Sequence, residues 1–184
     1  MSQTISRRAF LGTSLAATGA LMLPSLARAG SAAEPASRRL RLYNTHTAET
    51  LDVTYFEQGV YHPEALTEID FLLRDFRANA AVPMARGVID LVHDLTVALD
   101  TSGPVHIICG YRSPQTNEML RETRGGGVAK HSLHMDAMAI DLRVPGRDLA
   151  RVRATAAALG RGGVGYYTKE DFVHVDTGRV RHWG

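Results

Sequence analysis

An aspartate, Asp141, stands inside the apolar run Ala139 to Val144, and few folds can keep it there. Read as a strand, the run points Met138, Ile140 and Leu142 to one face and Ala139, Asp141 and Arg143 to the other. A buried carboxylate needs a partner, and a metal ion is one of the few that suffices. His134 precedes it by seven residues, and His174 occupies a second apolar strand, Phe172 to Asp176, with Asp171 three residues before the histidine. Two neutral imidazoles and one carboxylate, with a fourth position left to water, make the donor set of a catalytic zinc site. Zinc lowers the pKa of such a water and polarises a scissile carbonyl. A further carboxylate takes the water's proton and passes it to the leaving amine, and Asp171 is tied to one imidazole by its three-residue link. Spacing alone leaves a second reading open, in which each of the eight histidines is an ordinary hydrogen-bonded, partly buried side chain.

These residues belong to one domain behind an export signal. Ser6-Arg7-Arg8-Ala9-Phe10-Leu11 sets paired arginines ahead of a short apolar stretch, Leu11 to Leu23, and Ala27 and Ala29 supply a small-residue cleavage site. That stretch is shorter than the ~20 residues needed to cross a bilayer. Residues 1–29 therefore read as a twin-arginine signal peptide, an address for export to the periplasm that leaves no stable membrane span after cleavage. Removing its three arginines leaves 18 of the 21 basic residues against 19 acidic ones, a formal net charge of −1. The basic character belongs to the signal, and nothing argues for a nucleic-acid partner. With Cys109 as the one cysteine, no intramolecular disulfide can form, and at the end of an apolar strand it reads as a small buried hydrophobe.

Residues 30–38 read as a linker and 39–184 as the domain. Leu40 to Asn44 and Leu51 to Phe56 alternate as an N-terminal β-hairpin. Apolar residues at helical spacing from Leu66 to Phe76, after Pro63, and from Ala85 to Leu99 predict two amphipathic helices. Val105 to Cys109 follows as a strand, and Ser113-Pro114 opens a third helix through about Glu122 with a capping serine and proline at its first position. Gly125-Gly126-Gly127 reads as the rim of a cleft, Ala139 to Val144 as a strand and Asp148 to Leu159 as a helix. Gly163 to Tyr167 and Phe172 to Asp176 close the domain as strands, while Tyr166, Tyr167 and Trp183 read as core or edge packing. The fold class is α+β, a small mainly antiparallel sheet with flanking helices.

Ser132-Leu133-His134-Met135-Asp136-Ala137-Met138-Ala139-Ile140-Asp141 resembles the Ser-x-His-x-x-Gly-x-Ala-x-Asp motif of the zinc D-Ala-D-Ala metallopeptidases. Asp171-Phe172-Val173-His174 resembles their second motif, an acid three residues before a histidine, and Gly110-Tyr111-Arg112-Ser113 their Gly-Tyr-Arg-Ser turn. With the paired arginines and the ending Phe172 to Gly178, the likeness is to the YcbK-like branch of exported murein peptidases, over most of residues 40–184. The resemblance implies a hedgehog/D,D-peptidase-like fold and one zinc ion per chain on His134, Asp141 and His174. It makes Asp171 the general base and Arg112 the cation that holds a substrate carbonyl or carboxylate and steadies the oxyanion. It implies a murein peptide as substrate and hydrolysis of its cross-links. Alternatives are a D,D-carboxypeptidase or dipeptidase on murein peptides, a zinc-stabilised murein-binding module without catalysis, and an unrelated exported domain without metal. The motif's glycine is Ala137 here, which strains the turn between two ligands if that position demands positive φ. His131, close in sequence, is a candidate substrate contact.

Overall fold

The computed structural model describes residues 37–123 and 127–184. The signal peptide, residues 30–36 of the linker, and Gly125 and Gly126 of the glycine run lie outside the described residues. Strand β1 (Ser37–Asn44) begins two residues inside the segment read as linker and pairs antiparallel with β2 (Thr50–Glu57), which pairs with the two-residue β3 (Val60–Tyr61). Helices α1 (Pro63–Leu72) and α2 (Arg86–Ala98) follow, then β4 (Val105–Cys109), α3 (Pro114–Thr123) and β5 (Ala139–Arg143). The chain ends with α4 (Leu149–Leu159), β6 (Gly163–Tyr167), β7 (Phe172–Asp176) and β8 (Arg181–Trp183).

The α+β class and the mainly antiparallel sheet hold, but the sheet is larger than the sequence suggests. All eight strands join in the order β3-β2-β1-β4-β5-β7-β6-β8. Two pairings are parallel, β1 with β4 and β6 with β8. The hairpin joins because Leu40 and Leu42 of β1 belong to the same buried cluster as Ile107 of β4 and Ile140 and Leu142 of β5. Val173 and Val175 of β7 continue that apolar face, and Ile69, Val88, Leu91, Val92, Leu95, Val152 and Ala156 from the helices complete the cluster. Strand alternation sends Asp141 and His174, which lie between these positions, to the opposite face. One side of the sheet is thus committed to packing and the other is left for the site.

Helix limits follow local chemistry. Proline at the first position of α1 and of α3 gives up an amide that a helix start leaves unpaired anyway. The Ser113 hydroxyl accepts from the Thr116 amide at 3.2 Å, the capping bond expected of it. Asp148 caps α4 through its side chain, accepting from the Ala150 amide. No helix among the described residues is long and apolar enough to cross a membrane.

Candidate metal centre

Three strands set Cys109, Asp141 and His174 in one row. Asp141 lies opposite Cys109 of β4 and opposite His174 of β7, and His174 lies opposite Gly165 of β6, which is paired in turn with Trp183 of β8. Directly opposed residues share a face. Cys109 reaches the row only because the β4–β5 register slips between Ile107 and Cys109, a bulge that removes Ile108 from the pairing. At Gly165 a Cβ would lie 2.6 Å from the Trp183 ring, so the missing side chain is what lets the indole lie across the strand. The indole centroid is then 5.2 Å from that of His174.

His134 comes from the loop before β5. Its Nε2 lies 3.2 Å from Asp141 Oδ1 and 3.2 Å from His174 Nδ1, and His174 Nδ1 lies 2.8 Å from Asp141 Oδ1. Hydrogen bonds on the far side of each ring decide what these atoms offer. His134 Nδ1 donates to the Gly110 carbonyl at 2.8 Å, which leaves Nε2 of a neutral ring with a lone pair. His174 Nε2 donates to Asp176 Oδ2 at 3.0 Å, which leaves its Nδ1 with a lone pair. Two imidazole lone pairs and a carboxylate oxygen therefore converge, buried, within 2.8–3.2 Å of one another. Only a cation satisfies that arrangement, and a proton or a metal ion qualifies.

The charges run the same way. Burial alone would raise the pKa of Asp141, but the attraction of the adjacent His134 and His174 imidazoles outweighs it and holds the carboxyl far below the usual carboxylate range. Burial disfavours charge on His134, yet Asp141 and Cys109 lift its pKa well above the ordinary histidine value. Asp176 is fully buried. Burial would raise its pKa as well. Hydrogen bonds from His174, from Arg181 and from the Gly163 and Gly178 amides prevail, and it stays ionised. Its two oxygens take the amides of Gly163 at 2.9 Å and Gly178 at 2.8 Å and the Arg181 guanidinium at 2.8 and 3.1 Å, besides His174. In the sequence Asp176 is simply the last residue of the apolar strand Phe172 to Asp176. Its spacing of two from His174, which puts both on one face, was the available signal.

The turn that carries Gly110 and Arg112 is fastened to the end of α1. The Tyr111 amide donates to the Leu73 carbonyl at 2.7 Å, and Asp75 takes the Ser113 amide at 2.9 Å and its hydroxyl at 2.7 Å. Gly110 packs so closely on Leu73 that any Cβ would collide with its backbone carbonyl. The Arg112 amide donates to the His134 carbonyl at 3.1 Å, locking this turn to the His134 loop. The Arg112 guanidinium lies 3.7 Å from Asp141 Oδ2 and 3.5 Å from Cys109 Sγ, and its Nε is buried with no hydrogen-bond partner among the described residues.

A cleft of about 620 Å³ opens over this row. Arg112, His131, His134, Asp141 and His174 line it, as do Tyr167 and Trp183, whose Nε1 donates to the Tyr167 hydroxyl at 3.0 Å. Tyr167 and Trp183, expected as core or edge packing, are walls of the cleft. Gly127 lies on the rim, where the glycine run was expected. Asp171 is not on the lining: its side chain is 62% exposed, its carboxylate pairs with Arg143 at 2.8 Å, and its φ is 56°. The acid of that turn that does line the cleft is Glu170. Ala137 has φ 55°, so the position where the motif carries glycine does demand the left-handed region.

A mainly antiparallel sheet that presents two imidazoles and a carboxylate in a polar cleft, with an arginine beside them, defines a metallopeptidase-like site. The sequence profile described as peptidoglycan L,D-endopeptidase MepK matches residues 31–183, and the chain belongs to that family of peptidases. It is 40% identical over 178 residues to the peptidoglycan L,D-endopeptidase MepK of Escherichia coli strain K12, covering 97% of both chains. The probable peptidoglycan L,D-endopeptidase MepK of Haemophilus influenzae is 36% identical over 179 residues, covering 97% of this chain and 95% of that one.

Proposed function

We propose that the chain hydrolyses peptide cross-links of murein at bonds joining an L to a D centre, with one zinc ion held by His134, Asp141 and His174. The observation that carries this reading is the convergence on an Asp141 oxygen of two imidazole lone pairs whose direction is fixed from behind by the Gly110 carbonyl and Asp176. Zinc on such donors supplies an activated water and polarises the scissile carbonyl. Arg112 is held at the cleft wall by Cys109 and Asn117, with an unused Nε, and its planar fork suits a substrate carbonyl or the oxyanion that follows from it. Trp183 and Tyr167 give the cleft a flat wall against which a peptide strand lies. Glu170 faces the cleft and is the carboxylate of the β6–β7 turn that the geometry offers for the water's proton; the left-handed Asp171 holds the turn. The paired Arg7-Arg8 ahead of a short apolar stretch supports export by the twin-arginine route to the periplasm, where this substrate lies.

The test is digestion of purified murein followed by mass spectrometry of the fragments. Cleavage at L,D bonds that chelation abolishes and zinc restores is the expected result. Release of terminal D-alanine alone would make the chain a carboxypeptidase. Full activity in a His174→Ala variant would remove the proposed metal site.

A further inference from the structure

Tyr167 carries into the cleft a hydroxyl whose direction is set by its neighbours. Trp183 Nε1 donates to the hydroxyl oxygen at 3.0 Å. An indole N–H can only donate, so the oxygen is the acceptor in that bond and its own hydrogen points elsewhere. No acceptor for that hydrogen stands among the described residues. The ring is held in place as well, because it stacks on the buried Phe172 with centroids 4.5 Å apart and planes 18° from parallel. The indole is equally confined, lying across Gly165 with Arg181 Cζ 4.8 Å from its ring centroid.

Strand register places this donor away from the reacting bond. Tyr167 is two residues from Gly165, which lies opposite His174, so both face the site. In sheet order β6 is the second strand from β5, and two strand spacings amount to ~10 Å. An extended peptide crosses ~10 Å in about three residues. Arg112 stands at the other end of the row, beside Asp141 and Cys109. A peptide whose scissile carbonyl is held there reaches Tyr167 with a later part of its chain.

We propose that the Tyr167 hydroxyl donates a hydrogen bond to an oxygen of the bound peptide, a carbonyl or a carboxylate, on the segment that lies over the β6–β8 wall. Tyr167 is then a specificity-determining residue, and the inference rests on the reading of this cleft as a murein-peptide site. A donor oriented before the peptide arrives loses little freedom on binding. Lying off the scissile bond, it holds substrate and transition state alike, which lowers KM and leaves kcat unchanged. A peptide without an oxygen at that place is rejected, because it covers the hydroxyl and leaves it unpaired.

Trp183 is the chain's one tryptophan, so its emission reports what covers this wall. The probe is a soluble L,D-linked murein peptide with its scissile amide N-methylated against hydrolysis, titrated into the zinc-loaded full chain. A saturable change in emission is expected. Tyr167→Phe keeps the stacked ring and removes only the hydroxyl, and it should raise Kd roughly threefold to tenfold for a carbonyl partner or roughly 10–100-fold for a carboxylate. Amidating the peptide's carboxylates separates the two, since the penalty survives amidation for a carbonyl and vanishes for a carboxylate. Equal Kd values for the unmodified chain and Tyr167→Phe overturn the proposal. With the cleavable peptide, KM should rise by the same factor while kcat stays within about twofold; a fall in kcat at constant KM also overturns it. If the unmodified chain cleaves murein but Trp183 emission ignores the probe, this inference falls and the proposed function stands. Neither cleavage nor binding removes both.

Discussion

A methyl group at position 137 sits where the backbone asks for none. Ala137 has φ 55° and is 5% exposed, and its carbonyl takes the Ala85 amide at 2.9 Å, so the loop cannot relax by turning outward. The left-handed conformation costs an alanine ~1–2 kcal/mol. Against this, burial of one methyl contributes ~0.8 kcal/mol, and glycine loses ~0.5–1 kcal/mol more in backbone entropy on folding. These nearly cancel, so Ala137→Gly is expected to change unfolding free energy by less than about 1 kcal/mol in urea titrations. A loss well beyond that would mean the methyl is fixed by packing and not merely tolerated. Asp171 is the second non-glycine residue of the site region at positive φ, and there the side chain suits the backbone, since aspartate and asparagine enter that region most readily. Asp171→Asn should therefore retain turnover on murein within about threefold. A fall of ~10²-fold or more, the usual cost of losing a general base, would return the proton to Asp171.

At the scale of elements, what the sequence conceals is mostly pairing. The limits of β6 and β7 were legible because Phe172, Val173 and Val175 are strongly apolar and the intervening turn is polar. His134, Asp141 and His174 were legible as a group through the resemblance to the peptidase motifs; the β5–β7 register sets Asp141 against His174, and the loop before β5 brings His134 to them. Neither β3, two residues long, nor β8, Arg181-His182-Trp183, has a pattern of its own. Consequently Trp183 read as packing, although the parallel pairing of β6 with β8 carries it over Gly165 to His174. The bulge at Ile108 was equally hidden, because only a partner strand defines it. Asp176 links these elements: it binds the amide that opens β6, the guanidinium of β8 and the His174 imidazole of β7. Asp176→Asn keeps the shape but removes the charge that fixes the His174 tautomer, so zinc affinity should fall ~10–100-fold in chelator competition. Unchanged affinity would show that the ring is held by packing alone.

A second carboxylate ties helix to sheet away from the site. Asp90 of α2 accepts from the Tyr55 hydroxyl at 2.9 Å and the Tyr61 hydroxyl at 2.6 Å and pairs with Arg38 at 2.8 Å, joining α2 to β1, β2 and β3. Burial raises its pKa, but the hydrogen bonds from Tyr61, Arg38 and Tyr55 exceed that and leave it lowered. A folded-state pKa below the unfolded one means the unfolded chain binds the proton first. Stability from this group is complete above the unfolded value of about 3.9 and drains away as pH falls through the lower folded one. Asp90→Asn should lower the urea midpoint at neutral pH and flatten its decline below about pH 4. A decline as steep as that of the unmodified chain would place the acid sensitivity elsewhere.

For the molecule as a whole, the proposed metal centre would also be a fastening. His134 and Asp141 are seven residues apart, Asp141 and His174 thirty-three, so an ion shared by them would join the His134 loop to two strands of the sheet. The unfolded chain holds no such cluster, and an ion that binds the native state alone stabilises it by mass action. At free zinc a thousandfold above its dissociation constant, that amounts to ~4 kcal/mol, which corresponds to a rise of roughly 10 °C in melting temperature for a chain of this size. The rise should shrink as pH falls, because a proton competes for the same lone pairs and Asp141 holds that proton on His134 above the ordinary histidine range. Calorimetric scans of the chain with zinc and with chelator, at two pH values either side of neutrality, measure both effects. His174→Ala should melt at one temperature under all of these zinc conditions. If zinc moved the melting of His174→Ala as far as that of the unmodified chain, the ion would be binding somewhere other than between β5, β7 and the His134 loop.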